Sequence, residues 1–106
     1  MKQKSEFQEC AERLKALADP DRLRILLQLY EGPASVSELA AQLGDDIAKV
    51  SHHLGILRRA GIAQAQKQGR FVIYRLHPEA TLVRDDATND LRIDFGCCSL
   101  DLHPDK

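Results

Sequence analysis

Apolar residues recur at helical spacing through the first half of the chain and at strand spacing through much of the second. Over residues 5–18, Phe7, Cys10, Leu14 and Leu17 form one stripe, which predicts an amphipathic helix. Ala18-Asp19-Pro20 ends it and starts another, since Asp19 can cap free amides and Pro20 suits a first helical position. The second helix, DRLRILLQLY, places Leu23, Leu26, Leu27 and Tyr30 on one side before Glu31-Gly32-Pro33 breaks it. Ser35-Val36-Ser37-Glu38 matches the S-x-x-E capping box, and the short helix it opens should bury Leu39, Ala40 and Leu43 and stop at Gly44. Asp46 then caps a helix whose inner face is Ile47, Val50, Leu54 and Leu57, with Gly61 closing it. Its outer face carries Ala48, Lys49, His52, Gly55 and Arg59, small residues mixed with donors, which suits a helix lying in a DNA groove.

Residues 62–76 read as a β-hairpin with Gln68-Gly69 at its tip, flanked by Lys67 and Arg70. A hairpin with a basic tip after a helix-turn-helix is a wing, placed to touch the sugar-phosphate backbone. Residues 78–89 predict at most a short, weakly amphipathic helix. Beyond it, Leu91, Ile93, Phe95 and Cys97 alternate, as do Cys98, Leu100 and Leu102, which reads as two strands with a phase change at the cysteines. A helix through Leu91, Phe95, Cys98 and Leu102 is the alternative; Gly96 and the β-branched and aromatic content favour strands.

Charge sharpens this picture. Residues 47–76 hold Lys49, Arg58, Arg59, Lys67, Arg70 and Arg75 and no acid, a local +6, whereas the segments before and after carry −3 and −4. The overall charge of −1 therefore hides a basic segment between acidic flanks, as a surface laid against phosphates requires. The 106 residues suffice for one modest core, filled by aliphatic side chains because Trp is absent. No apolar run approaches the ~20 residues that span a membrane. MKQKSEFQEC lacks the apolar region of a secretory signal, so the expected location is the cytoplasm. An odd set of three cysteines, Cys10, Cys97 and Cys98, fits reactive or metal-binding thiols better than a disulfide framework.

Four segments together, LKALADPDRLRILLQL (14–29), VSELAAQLG (36–44), VSHHLGILRRAGI (50–62) and QGRFVIYRL (68–76), resemble the ArsR/SmtB family of bacterial winged-helix repressors over roughly residues 10–80. The resemblance implies a mainly α winged helix-turn-helix with a small hairpin wing, working as a homodimer. The expected division is residues 1–80 as the winged helix-turn-helix DNA-binding domain and 81–106 as a tail with the adjacent cysteine pair, part of the same domain or of the dimer interface, to which the alternation after Leu91 adds extra strands. The resemblance further implies a palindromic operator near the protein's own promoter, released when an inducer binds. Family inducers are often metals or metalloids; some members answer to oxidants and some have no known inducer. The chain departs from the family's cysteine pair in the third helix, where it has SELAAQL, and His77 and His103 are its only histidines outside the recognition helix.

For DNA, the candidates are Lys49, Ser51, His52 and Arg59 of the recognition helix, with Arg70 and Lys67 of the wing. Lys49 and His52 lie near the helix start, which reaches base edges, whereas Arg59 and the wing residues would hold phosphate. The bland reading is a solvated charged face, and Ser51 could serve only a local hydrogen bond. His53 lies nearer the buried side. For sensing, Cys97 and Cys98 are the candidates. Neighbours ~3.8 Å apart at Cα fall short of the ~4.4–6.8 Å of a relaxed disulfide, so a bond between them would be strained. Two thiolates on a turn at Gly96-Cys97-Cys98 could instead share a soft ion. If the first helix packs against the tail in the dimer, Cys10 completes a three-thiolate site suited to As(III) or Sb(III). No cofactor is required; the metal or metalloid is an inducer. The leading reading is thus a repressor relieved by a thiol-directed inducer (arsenite, antimonite or another soft metal). The rivals are an oxidant-sensing repressor, a regulator without inducer, and a small thiol redox or metal-carrier protein. No arrangement of catalytic residues suggests an enzyme.

Overall fold

The computed structural model describes residues 6–103. Residues 1–5 and 104–106, the outer ends of the expected N-terminal unit and tail, and Ser5 of the expected first helix lie outside the described residues. Four helices come first: α1 (Glu6–Leu17), α2 (Pro20–Glu31), α3 (Val36–Leu43) and α4 (Ile47–Arg59). Two three-stranded antiparallel sheets complete the fold. The first orders β1 (Ala34–Ser35), β3 (Phe71–Leu76) and β2 (Ala63–Gln68) as β1-β3-β2. The second runs β4 (Thr81–Arg84), β5 (Leu91–Asp94) and β6 (Ser99–Leu102) in chain order. This is a winged helix-turn-helix with additional C-terminal strands. Among the described residues, no helix is long and apolar enough to cross a membrane.

The helix boundaries follow their caps. Asp19 accepts from the amides of Asp21 and Arg22, and Asp46 from that of Ala48. At α3 both arms of the capping box form, Glu38 N–H donating to Ser35 Oγ at 3.2 Å and Ser35 N–H to Glu38 Oε1 at 2.9 Å. Gly44 ends that helix in the left-handed region at φ 65°. The wing pairs Ala63–Gln68 with Leu76–Phe71 without a slip, so Gln68 is a paired strand residue and the loop is Gly69-Arg70, one residue further on than the sequence suggests. Pairing on both sides therefore puts Arg70 itself at the tip.

Several inward faces differ from their periodicity. In α1, Cys10, Ala16 and Leu17 are buried, but Phe7 is 89% and Leu14 41% exposed. The predicted stripe is split: its inner edge meets the core, and its outer edge faces away from this chain. In α2 the buried residues are Ile25, Leu26 and Leu29; Leu27 and Tyr30 are only half-buried, because α2 is contacted from more than one side and its burial centre rotates. Ile47 is 55% exposed, since the first turn of α4 projects beyond the core that Val50, Leu54 and Leu57 fill.

The tail departs most from expectation. No helix forms over 78–89. Thr81 and Val83 favour extended backbone, and the polar run that follows satisfies its own amides: Asp85 Oδ1 accepts from Ala87 and Thr88 N–H, and Asn89 takes φ 62°. β4 and β5 are the two strands that this turn joins. The phase change expected at the cysteines does occur, between β5 and β6. On β5, Leu91 and Ile93 point inward, opposite Leu102 and Leu100 of β6. Ile93 (0% exposed) and Phe95 join Leu17, Leu26, Leu54 and Leu57 in one core, with Leu82, Leu100 and Leu102 packed against it. Arg84 adds a tie to α2, its guanidinium 5.2 Å from the Tyr30 ring centroid and 3.3 Å from Glu31.

If the tail sheet is part of the core, Ile93→Ala should destabilise the whole protein, by about 2–5 kcal/mol for a large-to-small core change. Urea unfolding followed by helical circular dichroism measures this. A helical transition indistinguishable from that of the parent would show that the tail is an independent flap.

Candidate functional site

Two surfaces carry chemistry. The first is the outer side of α4 with the wing. Ala48, His52 and Arg59 are exposed along one line of the helix and Gly55 is half-exposed between them. The lack of a side chain at Gly55 leaves room for Arg59: a Cβ there would meet its Nη1 at 3.3 Å. The guanidinium therefore lies back across the helix surface. Ser51, Lys67 and Arg70 are exposed, so the six residues expected to meet DNA all reach the surface. His53 is buried, as expected, with Arg22 Nη1 3.1 Å from its Nδ1. A guanidinium can only donate, so Nδ1 accepts and the ring's hydrogen sits on Nε2, 3.8 Å from Asp21.

Lys49 is not a bare cation. Its Nζ lies 3.0 Å from Asp21 and 3.3 Å from Asp45, so α2 and the α3–α4 turn hold it at the edge of the helix face. The hydrogen bond from Lys49 holds the Asp21 carboxyl below its ordinary 3.8, against some desolvation, and the same bond raises Lys49 above its ordinary 10.5. Asp21 is thus a residue that charge counting missed. The contrast between the basic segment 47–76 and its acidic flank is partly cancelled in space, because Asp21 and Asp45 come from that flank. Asp19, Asp21 and His53 lie close enough to share a cation. Arg22 and Lys49 already occupy their acceptors, and the group reads as a tie between α2 and α4.

The second surface is the thiol cluster. Cys10 of α1 and Cys97 of the tail, 87 residues apart, are joined in a disulfide with Cα atoms 6.2 Å apart; Cys98 is free. The three Sγ atoms lie within 4.8 Å of one another. The bond joins Cys10 to one of the neighbouring pair and not the neighbours to each other, which leaves no wider disulfide framework, and the three cysteines converge within one chain rather than across a dimer. Gly96 makes this possible: at φ 88° it turns the backbone in a conformation that other residues rarely adopt. The turn is closed by Phe95 N–H donating to Cys98 C=O at 2.9 Å, and Asp94 Oδ1 accepts from Gly96 N–H at 2.7 Å. Arg13, half-buried and one turn along α1 from Cys10, points Nη1 at Cys97 Sγ (3.8 Å) and at the Phe95 carbonyl (3.4 Å). Its other nitrogen lies 3.8 Å from where a Cβ of Gly61 would be, just beyond α4. The i, i+3 spacing of Cys10 and Arg13 was visible in the sequence, but nothing there showed what the pair faces.

The chemistry of this donor set is testable against bond lengths. Thiolate–metal bonds of about 2.3 Å hold two sulfurs at most ~4.6 Å apart on a common ion. Once the disulfide is reduced its two sulfurs can move apart to such a separation, and Cys98 Sγ, within 4.8 Å of both, needs little shift to join them. His77 and His103 add nothing to it: His77 Nδ1 accepts from Glu79 N–H, and His103 lies 3.0 Å from Asp90.

A helix-turn-helix domain model matches residues 17–63, which run from the end of α1 through the start of the wing. The transcriptional repressor SmtB of Mycobacterium tuberculosis is 45% identical over 76 residues, covering 70% of this chain and 56% of the repressor. This chain spans little more than half the length of the curated relatives it matches. Among solved structures, the homodimeric winged helix-turn-helix DNA-binding domain of Mb0332 from Mycobacterium bovis, a possible ArsR-family regulator, superposes with a TM-score of 0.67. It shares 30% identity over 74% of this chain and 78% of that one. A possible transcriptional regulator for arsenical resistance superposes with a TM-score of 0.60 at 37% identity, covering 63% and 70% of the two chains. On its helices, its wing and these likenesses to transcriptional regulators together, the chain belongs to the ArsR/SmtB family of winged helix-turn-helix regulators.

Proposed function

We propose that this protein is a dimeric repressor that binds a palindromic operator and is released by a thiol-directed inducer acting at Cys10, Cys97 and Cys98. The observation that carries the sensing half is the meeting of sulfurs from opposite ends of the chain within 4.8 Å. Residues 1–80 supply the DNA-binding unit and 81–106 the sensing tail. His52 and Arg59 lead the contact with the duplex, Ser51 and Lys49 flank them, and Lys67 and Arg70 bring the wing to phosphate. The homodimeric state of Mb0332 and the exposed Phe7 and Leu14 of α1 support pairing through the first helix. An apolar row of that kind is stabilised by burial against its symmetry mate.

The inducer of this reading is a soft metal or metalloid, arsenite or antimonite first, taken by the reduced thiolates. The relative named for arsenical resistance supports that class. Oxidation is the second reading, favoured specifically by the Cys10–Cys97 bond. In either case the signal lies next to Arg13, which reaches towards Gly61 at the end of the recognition helix. A difference of ~1–3 kcal/mol in inducer affinity between the two conformations alters operator affinity ~5–150-fold.

The double variant Cys97→Ser/Cys98→Ser should bind operator like the parent and lose release by arsenite and by peroxide. Fluorescence anisotropy of a labelled operator reads both. Release that survives in this variant would sink the sensing assignment. Arsenite release should be independent of oxygen, whereas peroxide release should be reversed by dithiothreitol.

Asp21→Asn should remove one of the two carboxylates that hold Lys49 and leave Asp45 as its partner. Operator affinity should then rise modestly, because less ion pairing is given up when Lys49 turns to phosphate, with the slope of log K against log salt little changed; anisotropy titrations across a salt series measure both. The Asp21–Lys49 tie has a defined pH window. Its contribution is present above the ordinary carboxylate value of 3.8 and is lost as pH falls through Asp21's lowered one. On the alkaline side it persists until pH passes the raised Lys49 value. In Asp21→Asn the acid limb of any pH dependence of stability should therefore flatten in urea titrations repeated from pH 7 downwards.

A further inference from the structure

Cys98 is the one cysteine outside the disulfide, and it sits within 4.8 Å of both bridged sulfurs. We propose that Cys98 is an exchange thiol for the Cys10–Cys97 bridge, with Arg13 receiving the departing Cys97 sulfur. This deepens the oxidative arm of the function proposed above and rests on it.

The step is a thiol–disulfide exchange with no net oxidation. Cys98 loses its proton to solvent, which its half-buried position allows, and the thiolate attacks Cys10 Sγ. A Cys98–Cys10 bond forms as the Cys10–Cys97 bond breaks, and the electron pair leaves on Cys97 Sγ. The reverse attack, by Cys97 on Cys10, restores the starting pair. One thiol and one disulfide stand on each side, and no outside oxidant or reductant is consumed.

Two observations set the direction of attack. Exchange at Cys97 would join sequence neighbours, whose Cα atoms ~3.8 Å apart are too close for a relaxed disulfide. Attack at Cys10 avoids that bond and keeps α1 tied to the tail. Arg13 then decides which sulfur leaves well. Its Nη1 lies 3.8 Å from Cys97 Sγ and is anchored by the Phe95 carbonyl at 3.4 Å, so a cation already faces the sulfur on which charge develops. A neighbouring guanidinium favours thiolate, and a sulfur more stable as thiolate is the better leaving group. The turn at Gly96 supports the geometry by carrying Cys97 and Cys98 on a bend rather than on opposite faces of a strand. Arg13 is thus a positioning residue. The bridge stays closed while its free thiol alternates between two places, so an electrophile or a small disulfide can find a reactive sulfur at either one.

The test uses the full chain, oxidised to one disulfide and one thiol. The protein is pulsed with N-ethylmaleimide at neutral pH and quenched in acid, and the label is located by fragmentation mass spectrometry. Label should appear on both Cys97 and Cys98. Label confined to Cys98 overturns the exchange, and if peroxide still releases such a protein from operator, the sensing reading stands without it. Label on both in a protein that peroxide does not release supports the exchange while the sensing reading falls. Arg13→Gln should lower the Cys97-to-Cys98 label ratio several-fold, and Arg13→Lys should restore part of it. A folded Arg13→Gln protein with the parent's ratio removes Arg13 from the proposal. The unsubstituted protein decides the exchange even if that variant fails to fold.

Discussion

The entry of β5 into the helical core is the contact on which the rest of the molecule depends. Ile93 and Phe95 are buried among side chains of α1, α2 and α4, and a strand that inserts alternate residues this way has little freedom of register. Once Phe95 is seated, the chain must turn before β6 can run back along β5. That turn, at Gly96-Cys97-Cys98, lies over α1 beside Cys10 and Arg13. Ordinary apolar burial thus delivers three sulfurs from distant parts of the chain to one place. The thiol chemistry is a consequence of packing that would exist without it.

The same core determines how the recognition helix is presented. Val50, Leu54 and Leu57 hold one side of α4, which leaves His52 and Arg59 on the other. Its first turn is held by charge instead, through Lys49 with Asp21 and Asp45. Exposed ion pairs of this kind contribute little to stability. Their consequence is directional: they keep a cation at the margin of the helix face. Arg22 is less exposed than Lys49 and ties α1 and α2 to α4 by donating to the Ala16 carbonyl and to His53.

The thiol cluster and the outer face of α4 so arranged are near one another without overlapping. Arg13 lies between them, with one side at the Cys97 sulfur and the other close to Gly61. For an inducer to act through such a link, it must favour one placement of the tail over another, since equal affinity for two states shifts nothing. A disulfide and a three-thiolate ion make different demands on the same sulfurs. The first needs one pair bonded, and the second needs that pair parted so that all three can face one ion.

Local signals were the legible part of the sequence. Asp19, Ser35-Glu38, Gly44 and Asp46 act through the backbone of their own turn, and each does what its residue type implies wherever the domain is placed. The hairpin and the alternation after Leu91 were legible for the same reason. Tertiary structure alone decided which edge of a helix faces inward, because Phe7, Leu14 and Ile47 satisfy helical periodicity as well as any buried residue does. It decided that residues 81–84 extend, since the sheet partner that stabilises them lies several residues further on. It also brought Asp21 to Lys49 and Cys97 to Cys10 and Arg13. Those contacts join residues far apart in the chain, and no local spacing encodes them; they exist because one small core has room for only one arrangement of the elements around it.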